Sequence, residues 1–242
     1  MKIAASVLDC KDRISGVLKL NETNVNYIHV DVMDGKFVPN IEFDDINEIK
    51  EISEVSKYPL DVHLMVDDPS EYINKLDDVN IDFVTIHMEI DKDKKEIFKK
   101  IRDLGYKVGL SIKPNTNVSE IKPYLEDIDL VLVMSVEPGL GGQRFIDSAV
   151  DRIMELRELI KLSGRNIVIE VDGGINDETI TKLKMVDIVV VGSYIVRSDD
   201  YSKSVLELIQ AVNSFDSNKF KSKYLLYLIV LFLVILLLFK LL

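Results

Sequence analysis

The sequence predicts an α/β fold, a (β/α)8 TIM barrel with a C-terminal hydrophobic helix, and three observations carry that expectation. Short apolar runs of strand length alternate with longer amphipathic segments from residue 1 to about 213. Eight strand-then-helix units follow one another with no obvious surplus strand, a pattern that gives parallel strands joined by helices. The early Gly-x-Gly-x-x-Gly turn that would favour the competing doubly wound sheet is absent.

The strands are expected at 3–8, 25–32, 60–65, 83–87, 107–112, 130–135, 166–171 and 188–192. Apolar residues at three- and four-residue spacing predict helices over 69–76, after an Asp68 cap, and over 94–104 and 147–162. Residues 176–183 and 201–212 read as the last two helices. Residues 1–213 form the barrel in this reading, 214–223 are a polar and basic linker, and 224–242 are an apolar tail.

A chain of 242 residues holds one sizeable core, and a barrel of this length is commonly a single domain. The net charge of -11 argues against nucleic acid as a main partner, because phosphate-backbone binding needs clustered Lys and Arg. An anionic metabolite held by a local cradle remains compatible with it. The single cysteine, Cys10, rules out an intramolecular disulfide and suits a reducing compartment. The N-terminus does not read as a signal peptide, since the apolar stretch 3–8 is too short and charged residues follow at once.

In such a barrel the site lies at the C-terminal ends of the strands and in the loops after them. His29 and Asp31 are two residues apart and project from one strand face. The three histidines of the chain, His29, His63 and His87, each fall at or near the end of an expected strand, and Asp172 ends another. Two imidazoles and two carboxylates suit a divalent metal such as zinc, iron(II), manganese or cobalt. On this pattern alone, a buried histidine paired with a carboxylate is an equally good account, and His87 reads as a lining residue. Three successive loops carry glycines: Gly139-Leu140-Gly141-Gly142, Gly173-Gly174 and Gly192-Ser193. Glycine lets backbone amides approach an anion, and barrels often bind phosphate at these last loops.

Several longer segments together resemble the ribulose-phosphate 3-epimerase family over residues 2 to about 213. They are Ala5-Ser6-Val7-Leu8, His29-Val30-Asp31-Val32-Met33-Asp34-Gly35, Phe37-Val38-Pro39-Asn40, Asp61-Val62-His63-Leu64-Met65-Val66, Val133-Met134-Ser135-Val136, Pro138-Gly139, Gly141-Gly142-Gln143 and Val171-Asp172-Gly173-Gly174-Ile175. The resemblance implies metal ligation by His29, Asp31, His63 and Asp172, with Asp31 and Asp172 as opposed acid/base residues. It implies substrate contacts from Ser6 and His63, phosphate contacts from the glycine loops, and a lining of Met33, Met65 and Met134 beside the reacting carbons. It implies a ketose-phosphate substrate, a cytoplasmic barrel and a homo-oligomer. The chain departs from the family pattern at Lys36, Glu42-Phe43-Asp44, Lys113-Pro114, Glu137 and Leu140, none of them a metal or acid/base position.

Within residues 224–242 only Lys240 is charged, and 19 residues would span ~28 Å as a helix, near the ~30 Å hydrocarbon core of a bilayer. Lys219, Lys221 and Lys223 precede it, so the expectation is a transmembrane anchor that contacts membrane lipid and keeps the barrel on the cytoplasmic side. Two further functional readings stay open at this level. One is a 3-epimerase of a hexulose phosphate such as allulose 6-phosphate; the other is a catalytically silent, membrane-tethered barrel scaffold.

Overall fold

The computed structural model describes residues 1–213. The apolar runs form parallel strands β1 (Lys2–Ser6), β2 (Tyr27–Asp34), β4 (Leu60–Met65), β5 (Ile81–His87), β6 (Lys107–Ile112), β7 (Leu130–Met134), β8 (Val168–Asp172) and β9 (Ile188–Val191). Each pairs with its neighbours in order, and β1 pairs with both β2 and β9, so the sheet closes. A closed barrel buries both faces of every strand, which is why these runs are mostly apolar, with polar exceptions such as His29, Asp31, Asp61, His63, His87 and Glu170 buried inside the barrel.

Alternation still sorts the residues into two cores. Outward side chains such as Val30, Val32, Leu64, Ile86, Leu110, Val133 and Val189 meet the surrounding helices. Inward ones such as Tyr27, Phe83, Leu130, Leu132, Ile188 and Val190 fill the barrel. The outer layer comprises α1 (Arg13–Leu20), α2 (Ile46–Val55), α3 (Pro69–Ile73), α4 (Lys94–Asp103), α5 (Ala149–Ser163), α6 (Ser193–Val196) and helical residues 201–213. Asp12, Asp45, Asp68 and Asp93 cap α1 to α4, each accepting from backbone N–H groups of the first turn. Gly164, at φ 70°, ends α5 in the left-handed conformation.

The structure corrects four expectations. A surplus strand exists: β3 (Ile41–Glu42) runs antiparallel to the end of β2. This hairpin prolongs β2 to Asp34 and turns at Gly35, φ 73°, so His29 lies inside the strand and not at its end. The helix expected over 176–183 is a four-residue 3-10 turn, Thr179–Lys182, entered where Asn176 Oδ1 accepts from the N–H groups of Glu178 and Thr179. The connection after β6 is likewise a 3-10 helix, Val118–Tyr124, with Pro123 inside it. The expected linker 214–223 and apolar tail 224–242 lie outside the described residues. Among the described residues no helix is long and apolar enough to cross a membrane.

Candidate active site

Strand register assembles the cluster. Ser6 pairs with His29, His29 with Asp61, Asp31 with His63 and Met134 with Asp172, and paired residues of parallel strands face the same way. Inside the barrel, ligand atoms of His29, Asp31, His63 and Asp172 all lie within 4.8 Å of one another. Asp31 is central. Its Oδ1 is 3.2 Å from His29 Nε2 and 3.2 Å from His63 Nδ1, while its Oδ2 accepts from Ser6 Oγ at 3.0 Å.

Neighbours fix which nitrogen each imidazole turns to the cluster. His29 Nδ1 lies 2.6 Å from Asp61 Oδ2, so its Nε2 is left for the cluster. His63 Nε2 lies 2.9 Å from His87 Nε2, and His87 Nδ1 donates to Glu89 Oε2 at 3.0 Å. Burial pushes His87 down to about 4, so it is neutral; with Nδ1 donating to Glu89, its Nε2 accepts from His63. That leaves His63 Nδ1, 3.2 Å from Asp31 Oδ1, as the nitrogen turned to the cluster. Glu89 is anchored in turn by Lys113 N–H and the Thr116 hydroxyl. Two imidazoles oriented through their second nitrogens, plus two carboxylates, make a donor set that fits a divalent cation with mixed nitrogen and oxygen preference.

The two aspartates differ in proton affinity. Burial opposes ionisation of Asp31, yet the charge and hydrogen bond of His29, and then His63, hold it well below the usual carboxylate range. Burial, and then the charge of Asp31, push Asp172 up to about 6. Below this pair the interior carries two more carboxylates, Asp61 and Glu170, with exposures of 1% and 0%. Burial, and then the charge of Asp61, hold the Glu170 carboxyl well above its ordinary range, so it is neutral.

Above the cluster, the loops after β7, β8 and β9 bring Gly139, Leu140, Gly141, Gly142, Gly173, Gly174, Gly192 and Ser193 around one cavity, with Asp31 and Asp172 in its lining. Two glycines are required by space and conformation together. A Cβ on Gly174, at φ 64°, would stand 2.4 Å from the backbone nitrogen of Phe145. A Cβ on Gly173, at φ 117°, would stand 2.4 Å from Val136 Cγ2. Gly139 is held down by Asn40, whose Nδ2 donates to its carbonyl at 2.9 Å. Met33, Met65 and Met134 line the cavity wall, and all three are buried.

The structure therefore brings together every residue singled out in the sequence except His87, which stands behind His63 and outside the four-residue cluster. Sequence reasoning missed Asp61, Glu89 and Glu170 as partners. The signal was available: each lies two positions from a chosen residue, His63, His87 or Asp172, and so shares its strand face or its continuation.

A family model described as the ribulose-phosphate 3 epimerase family matches residues 2–196. The ribulose-phosphate 3-epimerase of Helicobacter pylori is 37% identical over 214 residues, covering 88% of this chain and 98% of its own. That of Methanocaldococcus jannaschii is 35% identical over 235 residues, covering 91% of this chain and 99% of its own. Among solved structures, 3-hexulose-6-phosphate synthase from Salmonella typhimurium aligns with a TM-score of 0.63 at 18% identity, covering 89% of this chain and 100% of that one. This last likeness is one of fold.

Proposed function

The chain belongs to the ribulose-phosphate 3-epimerase family, and from that membership we propose that it interconverts D-ribulose 5-phosphate and D-xylulose 5-phosphate. The observation that carries the reading is the convergence of His29, Asp31, His63 and Asp172 beneath a glycine-lined rim. A divalent cation held by these four residues would act as a Lewis acid, stabilising the charge that develops on the substrate oxygens as C3 is deprotonated.

Asp31, held ionised, takes the proton from C3 of the ketose phosphate. The electron pair moves into the adjoining carbonyl to give an enediolate. Asp172, the group of higher proton affinity, returns a proton to the opposite face of C3. In the reverse direction the roles exchange. The Ser6 hydroxyl, bonded to Asp31 Oδ2, keeps that carboxylate turned toward the cavity. Met33, Met65 and Met134 give the enediolate an apolar wall that excludes water. Backbone amides of Gly141-Gly142, Gly173-Gly174 and Gly192-Ser193 receive the phosphate, and the loop after β7 covers the substrate.

Turnover in deuterium oxide tests this. Metal-loaded protein should exchange deuterium into C3 of D-ribulose 5-phosphate as it forms the xylulose ester. Absence of exchange would rule out the proton-transfer reading and favour a silent barrel. A preference for allulose 6-phosphate in a parallel assay would replace the pentulose with a hexulose while leaving the chemistry in place.

The composition of residues 224–242 supports a membrane tether, with Lys219, Lys221 and Lys223 on the cytoplasmic side. Full-length protein should then sediment with membranes, and protein lacking residues 219–242 should remain soluble and active. Loss of folding in the shortened chain would assign the tail to the core instead.

A further inference from the structure

The charged side chains that line the cavity are all carboxylates. Asp9 and Glu137 stand at the glycine rim, and Asp31 and Asp172 lie beneath it. A phosphate ester adds ~1.5 to 2 negative charges at neutral pH, into a chain whose net charge is already -11. Backbone amides supply only partial positive charges against this.

Arg144, Lys182 and Arg197 line the neighbouring cavity that shares Gly142, Gly174 and Ser193 with this rim, and Arg197 is the one of the three paired with a rim carboxylate. Arg197, which follows α6, places Nη2 3.1 Å from Asp9 Oδ2, joining the loop after β9 to the loop after β1. The pair rests on the loop after β7. A Cβ on Gly142 would stand 3.1 Å from both Nη1 and Nη2 of Arg197, and a Cβ on Gly141 would stand 2.7 Å from both carboxylate oxygens of Asp9. The absence of side chains at these two positions is therefore what lets the ion pair lie against the backbone that faces the cavity. Asp9 is largely enclosed, with 18% side-chain exposure, whereas Arg197 is 59% exposed and can turn without disturbing the core.

We propose that Arg197 anchors the phosphate of the substrate, and that Asp9 holds its guanidinium at the rim until the ester arrives. This rests on the epimerase reading above. Asp9 engages one side of the planar guanidinium fork, leaving further N–H donors for phosphate oxygens beside Gly142. The anchor acts on binding, equally in ground and transition states, so its loss falls on KM and not on kcat.

The test uses the full chain, steady-state turnover of D-ribulose 5-phosphate, and calorimetric titration with inorganic phosphate. Arg197→Gln should raise KM and weaken phosphate binding about tenfold, the scale of a charge-assisted hydrogen bond, with kcat unchanged. Arg197→Lys should recover most of the phosphate affinity. In an Asp9→Asn background, Arg197→Gln should still weaken phosphate binding. If its effect disappears there, Arg197 only neutralises Asp9 and the proposal is overturned. Unchanged phosphate affinity in Arg197→Gln overturns it as well. A chain that binds phosphate through Arg197 but does not epimerise the sugar would instead remove the epimerase reading and leave the anchor standing.

Discussion

In the His–Asp cluster every contact is made by a side chain fixed on a strand, whereas in the glycine rim the contacts depend on side chains that are missing. His29, Asp31, Asp61 and His63 sit in the closed barrel at 0–3% exposure, each with a partner that sets its orientation. Gly141, Gly142, Gly173 and Gly174 sit in loops, where a Cβ would press on the Asp9 carboxylate, the Arg197 guanidinium, the Val136 side chain and the Phe145 backbone respectively. The cluster is specified by chemical identity, and the rim by volume and conformation. Isosteric changes should therefore be severe in the cluster, and added methyl groups severe in the rim.

The largest expected effect is at Asp172. Asp172→Asn keeps shape but removes one proton carrier, and turnover should fall ~10³-fold or more while the circular dichroism spectrum is retained. Near-normal turnover would end the two-carboxylate mechanism. Next, Gly174→Ala must move Phe145 backbone and holds alanine at a positive φ, at a cost of about 2–4 kcal/mol in urea unfolding. An alanine chain as stable as the original would mean the rim tolerates volume after all.

A smaller effect is expected where the cluster is altered behind its ligands. Asp61→Asn leaves His29 in place but weakens the acceptor on Nδ1, and metal affinity measured against a competing chelator should drop ~10- to 100-fold. Unaltered affinity would reduce Asp61 to a packing residue.

The smallest is a pH effect in chelator-treated protein. The folded-state value of Asp172, about 6, lies above that of an unfolded aspartate, so the folded chain binds the extra proton. Stability through this group is therefore full below about pH 4, is lost as pH rises from there through 6, and is flat above that. Asp172→Asn should lack that decline, a difference of about 1–2 kcal/mol by pH 7 in denaturant melts. Parallel pH profiles for the two proteins would show that Asp172 is not destabilised by Asp31 and burial.

The legibility of these two regions differs for a physical reason. Strand faces alternate with period two, so His29 and Asp31 could be placed together from their spacing, and the same rule reaches Asp61 from His63. The helix expected over 176–183 failed because Asn176 offers the chain a local turn that competes with helical hydrogen bonds. The hairpin at β3 escaped because Ile41 and Glu42 form a two-residue strand, too short for any periodicity. Loop glycines could be noticed in sequence, but whether each is a turn or a close approach depends on what lies opposite.

The sequence alone determined the eight-unit alternation and the largely apolar barrel strands, because these are written in local spacing and composition, while the four residues that converge in the cluster were singled out through the family resemblance of the motifs that carry them. Only the tertiary structure decided which imidazole nitrogen each histidine presents, since Asp61 and His87 come from other strands. It alone also joined Asp9 to Arg197 across the rim, from opposite ends of the barrel sequence. Closure of the sheet brings the first and last strands side by side, and no local pattern in a chain records which residues closure will make neighbours.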